Sequence, residues 1–149
     1  MNDKNWREEM MMGANLAGQA INIAKTTAPH AMSYKLTSKY GYSHGHAVAL
    51  TFPYFTKLNM ECDAQHYMGL YYAHYREKMR WLMHALGNPA EDLENYFRTF
   101  TKKLGLGYNP DTKVDADIIV RSINIERAEN NPHILTREII AEAAKSIIK

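Results

Sequence analysis

At 149 residues, with 46% hydrophobic and 23% charged side chains, the chain is long enough for one domain with a sizeable core and too apolar for intrinsic disorder. No apolar run approaches the roughly 20 residues of a spanning helix, which excludes a membrane role. The formal net charge of +2 is small and its lysines are scattered among acids, so a nucleic-acid partner is not expected.

Asn5 to Lys25 carries Met11, Leu16, Ala20, Ile21, Ile23 and Ala24 at roughly helical spacing, and predicts a long helix. Ala14, Ala17 and Gly18 thin one side of it, so a closely packed neighbour is expected there. Asp3, Lys4, Arg7, Glu8 and Glu9 break up the opening residues; this argues against a secretory signal and for the cytoplasm. Thr26 and Thr27 offer N-cap hydroxyls, and Pro29 suits the first turn of a second helix that runs to Lys39 and stops at Gly41.

Ser43 is placed to cap the next helix, whose run from His46 to Phe52 lacks the alternation of a half-buried strand. Pro53 either kinks it or ends its first half, with Tyr54 to Leu58 continuing. A loop follows near Cys62, where Cys62 and His66 have a spacing able to clip zinc if helical, although a plain loop is the simpler reading. As the lone cysteine, Cys62 rules out an internal disulfide and a thiolate-rich metal centre.

Tyr71 to Leu86 has Tyr72, Tyr75, Met79, Leu82, Met83 and Leu86 at spacings of three and four, closed by Gly87, Asn88 and Pro89. Pro89, Glu91 and Asp92 open a further helix with an inner stripe of Leu93, Tyr96, Phe97, Phe100 and Leu104. Gly107 to Asp111 reads as a loop, Ala116 to Ile125 as a short helix, and Thr136 starts a last helix with Ile139, Ile140, Ala143 and Ile147 on one face. The expectation is an all-α bundle of six or seven helices in one domain over residues 1–149.

The chemistry concentrates on either side of Gly41. His30 falls in the first turn of its helix and His44 at the start of the next, so a reversal at residues 40–43 brings the helices antiparallel and lets the imidazoles converge. Imidazole nitrogen is a good ligand for iron(II) or zinc. Two donors do not close a site, and a catalytic ion needs at least one more from a distant segment or another chain. For two histidines in an arbitrary helical protein, surface or satisfied core positions would be the ordinary reading.

The segment Ala28-Pro29-His30-Ala31, through Tyr40-Gly41, to His44-Gly45-His46-Ala47-Val48-Ala49-Leu50 resembles the helical-domain signature of the iron-containing alcohol dehydrogenases. Arg7-Glu8 with Ala17-Gly18-Gln19-Ala20-Ile21, and Asn130-Asn131-Pro132 with Leu135-Thr136-Arg137-Glu138, extend the likeness over nearly the whole chain. The His44-Gly45-His46 version is similar to members acting on phosphonate aldehydes or eight-carbon acidic sugars.

The resemblance implies a two-domain enzyme: an N-terminal nucleotide-binding half, and a helical half whose metal, Fe(II) or Zn(II), polarises the alcohol oxygen during hydride transfer to NAD(P). Only the helical half has counterparts here. The family's four ligands are an aspartate and a histidine from an earlier helix and two later histidines, which match His30 and His44; the first two have no counterpart. NAD(P) would be bound mainly by the absent domain, since Gly105-Leu106-Gly107 lies behind a helix and is not a phosphate loop.

Where many relatives have a further histidine near the nicotinamide, this chain has Tyr34, a poor base near neutrality with an ordinary pKa of about 10. His46, two residues past His44 and so roughly 200° around a helix, reads as supporting, packing or substrate-facing. Lys25, Lys35 and Lys39 could face an acidic substrate, though lysines so placed are usually solvated. The chain alone is expected to be inactive, with an exposed apolar docking surface and a tendency to self-associate. The alternative is a noncatalytic helical module that pairs with a separate nucleotide-binding chain.

Overall fold

The computed structural model describes residues 4–87 and 92–148. Seven α-helices are found among them: α1 (Lys4–Ala24), α2 (Ala28–Tyr40), α3 (His44–Met60), α4 (Tyr72–Ala85), α5 (Leu93–Lys103), α6 (Ala116–Ser122) and α7 (Arg137–Ile147). Two short 3-10 turns, Pro110–Thr112 and Ile125–Ala128, flank α6. The described residues contain no strand beyond one isolated antiparallel bridge between Tyr67 and His133, as the all-α reading expects.

The α2–α3 hairpin organises the rest. Ala28, Met32 and Leu36 recur every four residues along α2 and are all fully buried, so one face of the helix lies against α3. Gly41 turns the chain with φ of 75°; its N–H reaches the Thr37 carbonyl, and the N–H of Tyr42 reaches that of Leu36. A side chain with a Cβ is strained in that left-handed conformation, which is why glycine ends this helix. Ser43 occupies the N-cap position of α3, but its hydroxyl makes no capping bond.

α3 is the central helix, with α2, α5 and α7 packed around it. It continues through Pro53, which is itself buried, so the proline neither ends the helix nor exposes it. Phe55, fully buried on the same helix, joins Leu50, Ile140, Ala143 and Ile147 in the core. α6 closes the far side against α7 and α2 through Ile119 and Ile123.

Capping explains where the later helices start. Asp92 accepts the Asn95 N–H at 3.0 Å, the Asp115 carboxylate accepts from Asp117 and Ile118, and Thr136 Oγ1 accepts from Ile139 at 3.3 Å. α6 is shorter than the expected Ala116 to Ile125, because Ile123 is extended and a 3-10 turn begins at Ile125. Asn88, Pro89 and Glu91, assigned to a helix stop and start, lie outside the described residues, as does Asp3.

Two packing expectations are corrected. Every described side chain of α1 is exposed, with Met11 at 74% and Ile23 at 83%, where a closely packed helix was expected. Its small residues make room for a neighbour, yet none of the other described helices lies along it. On α5, Leu93 and Phe97 are buried, but Tyr96, Phe100 and Leu104 of the expected inner stripe are exposed, because α3 covers only one edge of that stripe.

Candidate metal centre

His30 lies in the first turn of α2, where Pro29 fixes the backbone and the Thr27 carbonyl accepts the His30 N–H at 3.1 Å. His44 is the first residue of α3. The turn at Gly41 folds the two helices back on each other, and the imidazole centroids come within 5.2 Å, their planes inclined by 56°. Rings whose nitrogens stand about 2.0–2.1 Å from one tetrahedral ion have centroids roughly 5 Å apart. The spacing of the two rings is therefore that of a pair sharing one divalent cation.

Protonation favours the same use. Partial burial lowers the His30 pKa below its ordinary value, and the neighbouring His44 lowers it further. His30 is thus neutral at neutral pH, the form with a free nitrogen lone pair. Ser33, fully buried, donates its hydroxyl proton to the His30 carbonyl at 2.8 Å. Its oxygen is then left to accept from His44 Nδ1, 3.4 Å away, a contact that orients the ring.

Ser33 was not singled out in the sequence. Its signal was there, since a small hydroxyl residue three positions after His30 points to the same side of the helix.

Tyr34 follows His30 by one turn and stacks over His44, with ring centroids 6.3 Å apart and planes at 26°. At 62% exposure its hydroxyl is open to a ligand. His46 points elsewhere: its Nε2 meets the Gly107 carbonyl at 2.9 Å and its ring sits edge-on to Tyr42. Tyr42 in turn accepts the Asn109 N–H and bonds to Thr112 Oγ1 at 2.9 Å. These contacts fasten the loop after α5 to the hairpin, so the structure gives His46 a packing partner and not a place beside His30 and His44.

Cys62 and His66 form no zinc clip. They lie in a loop, with the Cys62 thiol buried and directed to the Asp63 carbonyl; burial and Asp63 push its pKa up, against a smaller opposing pull from Arg76. The His66 ring is held by Asp63 at 2.7 Å and stacks on His133. Among the described residues no group of three or more His, Cys, Asp or Glu side chains is arranged to hold a metal. The hairpin brings two imidazoles together and no third such group beside them among the described residues. A third would have to come from residues beyond those described.

A family model described as "Fe-containing alcohol dehydrogenase family, C-terminal" matches residues 1–145. The chain belongs to the iron-containing alcohol dehydrogenase family. Within that family it is similar to the phosphonoacetaldehyde reductase of Streptomyces viridochromogenes, 29% identical over 141 residues, or 89% of this chain and 34% of the relative. The chain therefore spans about a third of that curated relative. No solved structure matches.

Membership implies a metal and NAD(P) in the parent enzyme of this alcohol dehydrogenase family. The histidine pair fits the first. The second has no comparable fit, because the described residues hold no strand leading through a glycine-rich turn into a helix. None of the described helices is long and apolar enough to cross a membrane.

Proposed function

We propose that this chain is the metal-bearing helical part of a metal-dependent, NAD(P)-linked alcohol dehydrogenase, with His30 and His44 as two of the ligands. The close approach of these rings, with Ser33 orienting one of them, is the observation that carries the reading. When bound, Fe(II) or Zn(II) acts as a Lewis acid on the alcohol or aldehyde oxygen. The chain's own residues hold the two imidazoles side by side, keep His30 neutral by burial, and place the Tyr34 phenol one turn from His30, where it can hydrogen-bond a substrate oxygen.

The remaining donors and the dinucleotide site belong to a nucleotide-binding domain or chain outside residues 1–149, a single helical domain. The substrate is a small alcohol or aldehyde, and the phosphonoacetaldehyde reductase similarity favours one with an acidic group. The lone thiol, Cys62, suits a cytoplasmic setting. Alone, the chain does not transfer hydride. The bare apolar side chains of α1 favour a second reading, a noncatalytic module that docks onto a separate nucleotide-binding chain or a second copy of itself.

Cobalt(II) or zinc titration of the parent chain, His30→Ala and His44→Ala tests the ligand pair. Each variant is expected to weaken binding at least about tenfold, since one of the two donors contributed here is lost. Indistinguishable titrations would remove both residues from the site. NAD(P)-linked alcohol oxidation by the purified chain after metal addition would overturn its assignment as inactive by itself.

A further inference from the structure

Next to the histidine pair a cavity of about 500 Å³ opens between α2 and the end of α6, lined in part by Thr26, Tyr34, Lys35, Ser38, Ser122 and Asn124. Among the described residues no carboxylate lines it. Ser122 donates its hydroxyl to the Ile119 carbonyl at 2.7 Å. The Thr26, Tyr34 and Ser38 hydroxyls and the Lys35 ammonium have no hydrogen-bond or ion-pair partner among the described residues. A concave site with a cation and uncommitted hydroxyl donors, and no acid to repel an anion, suits an oxyanion.

The cavity's place on α2 ties it to the candidate metal centre. Taking His30 as the origin and the helix turn of 3.6 residues, Tyr34 lies about 40° round, Ser38 about 80° and Lys35 about 140°. Tyr34 is therefore the shared wall: it stacks over His44 on one side and lines the cavity on the other. On the helical wheel Tyr34 and Ser38 lie between His30 and Lys35, so a molecule that spans the two positions passes them.

We propose that this cavity is the subsite for the oxyanion end, a phosphonate or carboxylate, of the alcohol or aldehyde substrate, with Lys35 as its specificity-determining charge. This rests on the reading of His30 and His44 as the place where the reacting oxygen is held. Lys35 recognises the far end of the molecule, and Ser38 and Thr26 add hydroxyl donors.

Titration of the full 149-residue chain with phosphonoacetate, malonate and inorganic phosphate, followed by amide chemical shifts, tests the assignment. Saturable shifts are expected at Ala31, Lys35 and Ser38, with Lys35→Gln weakening affinity at least about tenfold, as for loss of a charge-assisted contact. Lys35→Arg should retain binding and Lys39→Gln, one turn further on the exposed surface, should leave it unchanged; circular dichroism establishes that each variant is folded. Preference for phosphonoacetate or malonate identifies the oxyanion, and equal binding of phosphate means that the charge alone is read.

Shifts spread over other lysines, or unchanged affinity in Lys35→Gln, would overturn the subsite. The same variants titrated with cobalt(II) separate the two readings. Anion binding that persists in His30→Ala while no metal binds the parent chain would end the metal-centre reading and leave the anion pocket standing. Metal binding without Lys35-dependent anion binding would do the reverse.

Discussion

α1 and the α2–α3 hairpin have similar apolar content and opposite fates. Along α2, Ala28, Met32 and Leu36 disappear completely into the core; along α1, Met10, Met11, Met12, Leu16, Ile21 and Ile23 all stay exposed. Both segments are helical, but burial is a property of pairs of elements. Each helix of the hairpin has its partner in the other, across a glycine turn. α1 has small residues suited to a partner and none alongside among the described helices.

The largest effect should come from the hairpin's core. Phe55→Ala removes a fully buried ring from α3 and should cost about 3–5 kcal/mol, measured as a lower urea midpoint at unchanged slope. A cost below about 1 kcal/mol would mean that α3 is not the central helix in solution. Next in size is Ser33→Ala, which removes the acceptor for His44 Nδ1 and should weaken cobalt(II) binding about 10- to 100-fold, the usual range for a residue that orients a ligand. Ser33→Thr, which keeps the hydroxyl, should restore much of that loss.

A third test uses pH. The His30 pKa is lowered in the folded chain by burial and by His44, so below about 6.5 the unfolded chain takes up a proton that the folded one resists. Stability from this group is complete above the unfolded value and falls as pH drops toward the folded one. His30→Gln should flatten that part of the profile in urea melts at constant ionic strength. An unchanged slope would mean that His30 is solvated.

The helices were legible because their signals are local. Asp92, Asp115 and Thr136 begin helices by capping, and Gly41 ends one by its positive φ, all within a few residues of the position concerned. The convergence of His30 and His44 was legible for the same reason, being set by two short helical segments and one turn. What the chain did not reveal is non-local. The Gly107 carbonyl that holds His46 lies 61 residues away, and no periodicity in residues 44–50 points to it. Nor does a stripe such as Tyr96, Phe97 and Phe100 say how wide a neighbour will be, which is why Tyr96 and Phe100 proved exposed.

The smallest effect sharpens the comparison most. Met11→Ser with Leu16→Ser replaces two α1 side chains that are 74% and 58% exposed. Apart from a modest change in helix propensity, it removes no packed contact, and the free energy of unfolding should move by no more than about 0.5 kcal/mol. The same pair should nonetheless reduce self-association in sedimentation velocity, since contiguous exposed apolar side chains are what bring two copies together. A loss approaching that of Phe55→Ala at concentrations where the chain is monomeric would place α1 against the bundle. A loss that appears only at higher concentration would place it against a second copy. Because a packed helix and a bare one differ in what deletion of a methylene costs, this double variant asks directly whether α1 has a neighbour.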